Sequence, residues 1–301
     1  MGTTTTVTQK ILFLVNPVSG PGETNWSDII RNHFHQQPEQ IEIITIPKEA
    51  TTEQLRKKII GIKPDIAVAV GGDGTIKLVA ESVLQTEIRL GILPAGSANG
   101  MAKELGIPIE PKAAMRLLVT GSPRTIHLVR VNGHVCIHLS DIGYNADLVR
   151  RFEHQSGRGN WGYLRAAAKA LLRHPVMEVT MTVGNEKVEL QAAMIVLANG
   201  TMYGSGALIN PVGNLDDALF EVIVIKKISA MEIFKMLFTH AEYNPEKTVL
   251  YQTNHLYIRS KRPVHFQVDG EYLGKIKSVE ASLLPAALQV IVPKEPAANS
   301  L

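Results

Sequence analysis

Cysteine is almost absent from this sequence: Cys136 is its one representative among 301 residues. An internal disulfide and a cysteine-built zinc site are therefore excluded. The chain fits a reducing, cytoplasmic setting, and Cys136 reads as a small buried hydrophobe. An excess of one charge is lacking too. Lys and Arg total 31 against 28 Asp and Glu, a net charge of +3, too mild to point to nucleic acid. Long hydrophobic runs are missing as well. The longest, Ala192 to Ala198, suits a strand, whereas spanning a bilayer takes about 20 residues. The opening MGTTTTVTQK has neither the basic start nor the apolar core of a signal peptide. Met1-Gly2 with Thr6 fits the loose myristoylation pattern, set against the plainer expectation of a disordered leader.

What is present is an ordinary globular composition, 45% hydrophobic and 20% charged, with ample length for two domains. Apolar strand signals at Ile11 to Val15, Ile41 to Ile46, Ile66 to Val70 and Leu90 to Leu93 alternate with helical stretches near Asn25 to Gln36, Thr52 to Ile60, Ile76 to Leu84, Ala98 to Leu105 and Pro111 to Val119. Buried strands alternating with helices predict a parallel sheet covered on both faces. From about residue 125 the texture changes. Thr125 to Val131 and His134 to Ser140 flank Asn132-Gly133, a strong hairpin signal. Further strands are expected at Glu178 to Val183, Val188 to Leu197, Leu219 to Ile225, Thr248 to Ile258, Val264 to Val268 and Val279 to Leu284. Two helices, near Trp161 to Arg173 and Ala230 to Phe238, interrupt them. The expectation is an α/β domain over residues 8–125 and a mostly antiparallel β-sandwich over 126–293.

Three loops follow strands of the first domain: Asn16-Pro17-Val18-Ser19-Gly20, Gly71-Gly72-Asp73-Gly74-Thr75, and Pro94-Ala95-Gly96-Ser97-Ala98-Asn99-Gly100. Ligands of open parallel sheets bind at the carboxyl ends of strands, so all three belong to one rim. Glycines permit close approach, and Ser19, Thr75, Ser97 and Asn99 supply donors, a makeup suited to phosphates. The Walker A spacing is absent. The dinucleotide fingerprint fails because Lys77 stands where a third glycine is needed, and the protein-kinase signatures are missing. Asp73 has two readings. A carboxylate beside a polyphosphate is repulsive unless a magnesium ion lies between them; alternatively Asp73 caps a helix. His134 and His138, read as sharing one strand face, would be roughly 13 Å apart, too far to chelate one ion.

The motifs Asn16-Pro-x-Ser-Gly20, Gly71-Gly-Asp-Gly-Thr75 and Pro94-Ala-Gly-Ser-Ala-Asn99, in this order, resemble the diacylglycerol kinase catalytic family, which includes bacterial lipid kinases and the sphingosine and ceramide kinases. The resemblance continues through Asn199-Gly200, Tyr203-Gly204-Ser205-Gly206, Asp217-Ala-Leu-Phe-Glu221 and Val268-Asp-Gly-Glu271. It implies an NAD-kinase-like α/β domain, a β-sandwich, and an active site in the cleft between them. By position, Asn16, Pro17, Ser19, Gly20, Thr45, Gly71, Gly72, Asp73, Gly74, Thr75, Ser97 and Asn99 would form the ATP site, Asp73 also serving catalysis. Glu271 matches the catalytic base, and Asp217, with the carbonyls of Asn214 and Leu219, matches a structural magnesium site. On position alone Glu271 is an exposed turn residue; phosphoryl transfer to a hydroxyl needs a proton acceptor of that kind.

Three positions depart from the pattern. Gly100 and His127 stand where bacterial diacylglycerol kinases commonly have Asp, removing carboxylates that would support magnesium through water. Asp-Gly becomes Asp217-Ala218. The Gly100 form is closer to the sphingosine and ceramide kinase branch. The resemblance thus implies an ATP- and magnesium-dependent kinase acting on a diacylglycerol-like lipid. Alternatives are a sphingoid-base, ceramide or phosphatidylglycerol kinase, an NAD-kinase-like enzyme, and a non-catalytic nucleotide-binding protein. Residues 148–174 are rich in Arg and Lys, with Arg165, Lys169 and Arg173 at helical spacing beside Trp161, Leu164, Ala168 and Leu171. Such a helix would rest on anionic lipid or pack as a solvated basic helix. No nucleic-acid partner is expected, and a homodimer is left open.

Overall fold

The computed structural model describes residues 8–20, 24–37, 39–147, 176–202, 208–227 and 243–294. The leader at Met1, the Tyr203 to Gly206 motif, the basic segment 148–174 and the helices expected near 161–173 and 230–238 lie outside the described residues. By its internal packing the chain forms two compact units. One takes the described residues up to Ile126 and those from Ala286 onward; the other takes His127 to Pro285.

The first unit is built on four parallel strands, β1 (Lys10–Val15), β2 (Gln40–Thr45), β3 (Ile66–Gly71) and β4 (Arg89–Pro94), in the order β4-β3-β1-β2. All six residues of β3 are buried, as its unbroken apolar run requires of a strand covered on both faces. β2, at the edge, alternates between exposed and half-buried. The helices are α1 (Trp26–Phe34), α2 (Thr52–Ile62), α3 (Asp73–Val83), α4 (Gly100–Glu104) and α5 (Pro111–Thr120). In α1 the buried residues Trp26, Ile30 and Phe34 recur every four positions, one helical face. They pack on Phe13, Val68 and Met115; truncating Phe34 to Ala would cost about 3–5 kcal/mol. Local chemistry marks the starts. Thr51 and Gln54 form a reciprocal capping box for α2, and Glu110 accepts from the N–H groups of Lys112 and Ala113 ahead of α5.

The second unit contains the latter half of β5 (Ser122–Val131), then β6 (His134–Cys136), β7 (Leu139–Gly143), β8 (Met177–Val183), β9 (Glu186–Ala192), β10 (Met194–Ala198), β11 (Phe220–Ile225), β12 (Thr248–Thr253), β13 (His255–Val268) and the first part of β14 (Glu271–Val292). The order β12-β11-β10-β7-β13-β14 is antiparallel throughout. Strand β13 pairs through Leu256–Ser260 with β8 and through Phe266–Val268 with β7. Register shifts near Arg259 to Val264 bend it so that one strand serves both. Its core gathers Ile195, Leu197, Phe220, Val222, Leu256 and Phe266. The observed class is the expected one, a parallel α/β part and a mostly antiparallel β part.

Several strand expectations change. The run Val188 to Leu197 divides at Ala193 into β9 and β10, and Thr248 to Ile258 divides at Asn254 between β12 and β13, which also takes in Val264 to Val268. The run His134 to Ser140 is not continuous: it breaks between β6 and β7, because the amides of Ile137, His138 and Leu139 turn to the Asp269 carboxylate. His138 therefore sits in the break and not on a strand face with His134. The late run Val279 to Leu284 is part of the 22-residue β14, whose residue Val290 pairs in parallel with Leu90 of β4.

Candidate active site

Parallel register brings four loops of the first unit to one edge. Val15 lies opposite both Thr45 and Val70, Val70 opposite Leu93, and Gly71 opposite Pro94. The strands therefore end level, and the chain turns off the sheet at Asn16, Ile46, Gly72 and Ala95. These loops enclose a cavity of about 710 Å³, within the range of small-molecule sites. Of the residues expected from sequence, Asn16, Pro17, Ser19, Gly20, Gly72, Gly74, Thr75 and Ser97 line it. Thr45, Gly71, Asp73 and Asn99 do not.

The bonds of these residues explain the division. Asn16 donates from Nδ2 to Thr75 Oγ1 at 2.9 Å and accepts the Val18 N–H at Oδ1, tying the first loop to helix α3. Gly71 is required by that tie: a Cβ there would lie 2.4 Å from Thr75 Oγ1. Asn99, buried and left-handed at φ 50°, accepts the Gly96 N–H and donates to the Gly96 carbonyl, both at 2.8 Å. Gly72 and Gly96 meet backbone to backbone, so that a Cβ on Gly96 would stand 2.5 Å from the Gly72 Cα. Gly74 alone of these has open space at its Cβ position. The glycines thus divide into two kinds, those whose missing Cβ lets chain segments touch and Gly74, which lines the cavity with open space at its Cβ position.

Asp73 does not cap its own helix. Gly72 is the N-cap of α3 and offers no side chain. The Asp73 carboxylate crosses to α4 and accepts the N–H of Gly100 at Oδ2 and of Met101 at Oδ1, each at 3.1 Å. Gly100, where an Asp was expected, thereby contributes its amide. The first turn of α3 keeps the N–H groups of Asp73 and Gly74 outside the helix ladder, at the positive end of an 11-residue helix. That is a seat for an anion. Sequence reasoning missed Ile46, Pro47, Lys48, Ala50 and Leu78, which line the same cavity. Lys48 is the charged side chain of that lining, and its loop carries no glycine-rich signature to announce it. Apolar walls at Ile46, Pro47, Ala50 and Leu78 beside a polar floor suit a ligand that is part ring, part anion.

The remaining candidates belong to the second unit. Glu271 is exposed at the turn between β13 and β14, where Val268 and Glu271 pair and Asp269 and Gly270 take φ values of +50° and +85°. Positive φ at both central positions is the hairpin geometry that Asp-Gly favours. Asp217 accepts the Leu219 N–H at Oδ1 and Asn214 accepts the Asp216 N–H, one tight turn rich in oxygen donors. The carbonyl of Leu215 in that turn accepts the His127 N–H at 2.9 Å, and Asn199 donates to the His127 carbonyl. No cluster of three His, Cys, Asp or Glu converges among the described residues.

Residues 10–131 match the model of the diacylglycerol kinase catalytic domain, and residues 140–292 match the YegS C-terminal NAD kinase beta sandwich-like domain. The chain belongs to the diacylglycerol kinase family. It is a lipid kinase, and kinases of this family use ATP. A diacylglycerol kinase of Mycobacterium tuberculosis is 26% identical, with 95% of this chain and 96% of the relative covered. Among solved structures, a diacylglycerol kinase from Bacillus anthracis superposes with a TM-score of 0.73 at 19% identity, covering 96% of this chain and 98% of that one. An NAD kinase from Archaeoglobus fulgidus in complex with ATP gives 0.56 at 11% identity, with 94% of each chain covered. Both structures speak to the fold alone. No helix among the described residues is long and apolar enough to cross a membrane.

Proposed function

We propose that this chain transfers the γ-phosphoryl group of ATP to the hydroxyl of a diacylglycerol-like lipid at a membrane surface. The observation that carries the reading is the first unit's cavity, where the open N-terminus of α3, the Asn16–Thr75 pair and Lys48 surround a space of about 710 Å³. Phosphate oxygens would take the amides of α3, with the purine against Ile46, Pro47 and Leu78. Glu271 would accept the proton of the lipid hydroxyl as it attacks.

The residues fit a magnesium ion that arrives on the triphosphate and not one caged by protein. Asp73 already gives each oxygen to a backbone amide, and magnesium commonly keeps several waters and takes one or two carboxylates with phosphate oxygens. Such an ion would neutralise developing charge on the phosphates. Asp217, with the Asn214 and Leu219 carbonyls, offers a second all-oxygen set of the kind hard cations take.

The test is radiolabelled ATP offered with diacylglycerol, phosphatidylglycerol, sphingoid base, ceramide and NAD. Label in a lipid is expected, diacylglycerol first. Label in NAD alone would overturn the reading in favour of an NAD-kinase-like enzyme, and no label at all would favour a non-catalytic nucleotide binder. Glu271→Gln is expected to lower kcat by about 100-fold or more; full activity in that variant removes Glu271 from the base role.

A further inference from the structure

The turn that carries Glu271 is held by an unusual grip. Asp269, two residues before it, accepts three successive backbone amides with one carboxylate: Ile137 at 3.1 Å, His138 at 2.9 Å and Leu139 at 3.2 Å. Its own N–H donates to the Leu139 carbonyl at 2.8 Å, and the Cys136 thiol lies 3.7 Å from Oδ1. Consecutive amides converging on one anion form a nest, and here the anion is part of the chain. The carbonyls of the same segment are taken as well. Asn199 donates from Nδ2 to Ile137, and the backbone amides of Asn199 and Gly200 donate to His138. Every backbone donor and acceptor of residues 137–139 is thereby engaged, four of the six by Asp269, and the strand break between β6 and β7 is the price of it. A second tie fixes the far side of the turn, where Gly270 donates its N–H to the side chain of the buried Gln267 at 2.7 Å.

We infer that Asp269 is a positioning residue for Glu271, clamping the β13–β14 turn to the 137–139 segment so that the carboxylate two positions on has one place to be. This rests on the lipid-kinase reading and adds a part to it. An ordinary Asp-Gly hairpin needs no such partner, since the left-handed backbone suffices to turn the chain. The charged acceptor is therefore doing something other than making the turn. Charge-assisted bonds to backbone amides are about twice as strong as neutral ones. A turn without them would swing by fractions of an ångström to an ångström, the scale on which transfer rates collapse.

Asp269→Asn separates clamp from turn, because Asn, like Asp, is among the non-glycine residues that tolerate positive φ, while its amide nitrogen confronts donors. The expected result has three parts. Amide hydrogen exchange quickens at 137–139 and 270–272 and nowhere else. The kcat for lipid falls by about 10- to 100-fold with KM for ATP unchanged. On a Glu271→Gln background the substitution adds no further loss, as expected for residues acting through one group. Unchanged exchange would overturn the clamp whatever the activity. Faster exchange with full kcat, or an additive loss in the double variant, would overturn the positioning role. If Asp269→Asn does not fold, Asp269→Gly keeps the turn, removes the carboxylate and carries the same measurements. A wild type that labels no lipid would refute the kinase reading, while the exchange measurement would still decide the clamp.

Discussion

Ala substitutions at Gly96 and Gly74 should have opposite effects on stability and the same effect on the nucleotide. The Cβ of Gly96→Ala would sit 2.5 Å from the Gly72 Cα and 3.0 Å from Asn99 Oδ1, whereas ordinary contact begins at 3.4 Å. Neither neighbour is the free end of a flexible side chain, so the two glycine loops must part by roughly 1 Å. Overpacking of this kind costs about 2 kcal/mol, which lowers Tm by about 4–8 °C. The displaced loops carry Gly72 and Ser97, so KM for ATP should rise by about 10- to 100-fold. Gly74 has nothing within 4 Å of its Cβ position and stands in the first turn of α3. Ala is the better helix former by up to about 1 kcal/mol, so Gly74→Ala should hold or raise Tm. Its methyl nevertheless enters the cavity where phosphate oxygens would meet the amides, and KM should rise at least about tenfold. Thermal unfolding without nucleotide and calorimetric titration with ATP report the two effects separately. An unchanged Tm in Gly96→Ala would refute the backbone contact. Wild-type ATP affinity in Gly74→Ala would refute the anion seat at α3.

Asp73→Asn should loosen α4 by replacing one of two charge-assisted acceptors with a donor, at a cost of about 1–3 kcal/mol seen in urea unfolding, even if ATP binding is unchanged. Thr75→Val keeps the shape but leaves the Asn16 amide without its acceptor beside a buried position; about 1–3 kcal/mol of stability should be lost, and Thr75→Ser should restore most of it. His33 is held below the ordinary histidine value of 6.5 by burial first and then by the positive charges of Arg116 and Lys112, with Glu110 partly offsetting them. The unfolded chain thus binds a proton at His33 more readily than the folded one. Stability should fall as pH drops below about 6.5 and level off once both states are protonated. His33→Gln should flatten that slope in pH-dependent thermal unfolding.

The strands and helices of the first unit could be read directly because each signal is local. A five-residue apolar run at Ile66 to Val70, a capping box at Thr51 and Gln54, and a Pro at the start of α5 decide their own neighbourhoods. The roles of the acidic residues could not be read that way. Asp73 bonds to amides 27 and 28 residues away, and Asp269 to amides more than 129 away; only the folded chain brings those donors to them. The same long-range grip split a strand that alternation made look whole. Strand β14 was legible only in its middle, since Gly274, Lys275, Lys277 and Pro285 interrupt any apolar period along it. Lys48 escaped because a lone surface-coloured lysine after an edge strand carries no spacing to recognise.

Asp73 gives the cavity a built-in asymmetry. Of the helices that begin at this edge of the sheet, α3 and α4 are joined through Asp73, and an incoming polyanion would find both termini attractive were both vacant. One of them is occupied for good by the chain's own carboxylate. Under the proposed reading, a triphosphate would find the first amides of α4 already taken by Asp73 and those of α3 open to its oxygens. The internal carboxylate would then restrict where phosphate could settle before any base contact forms.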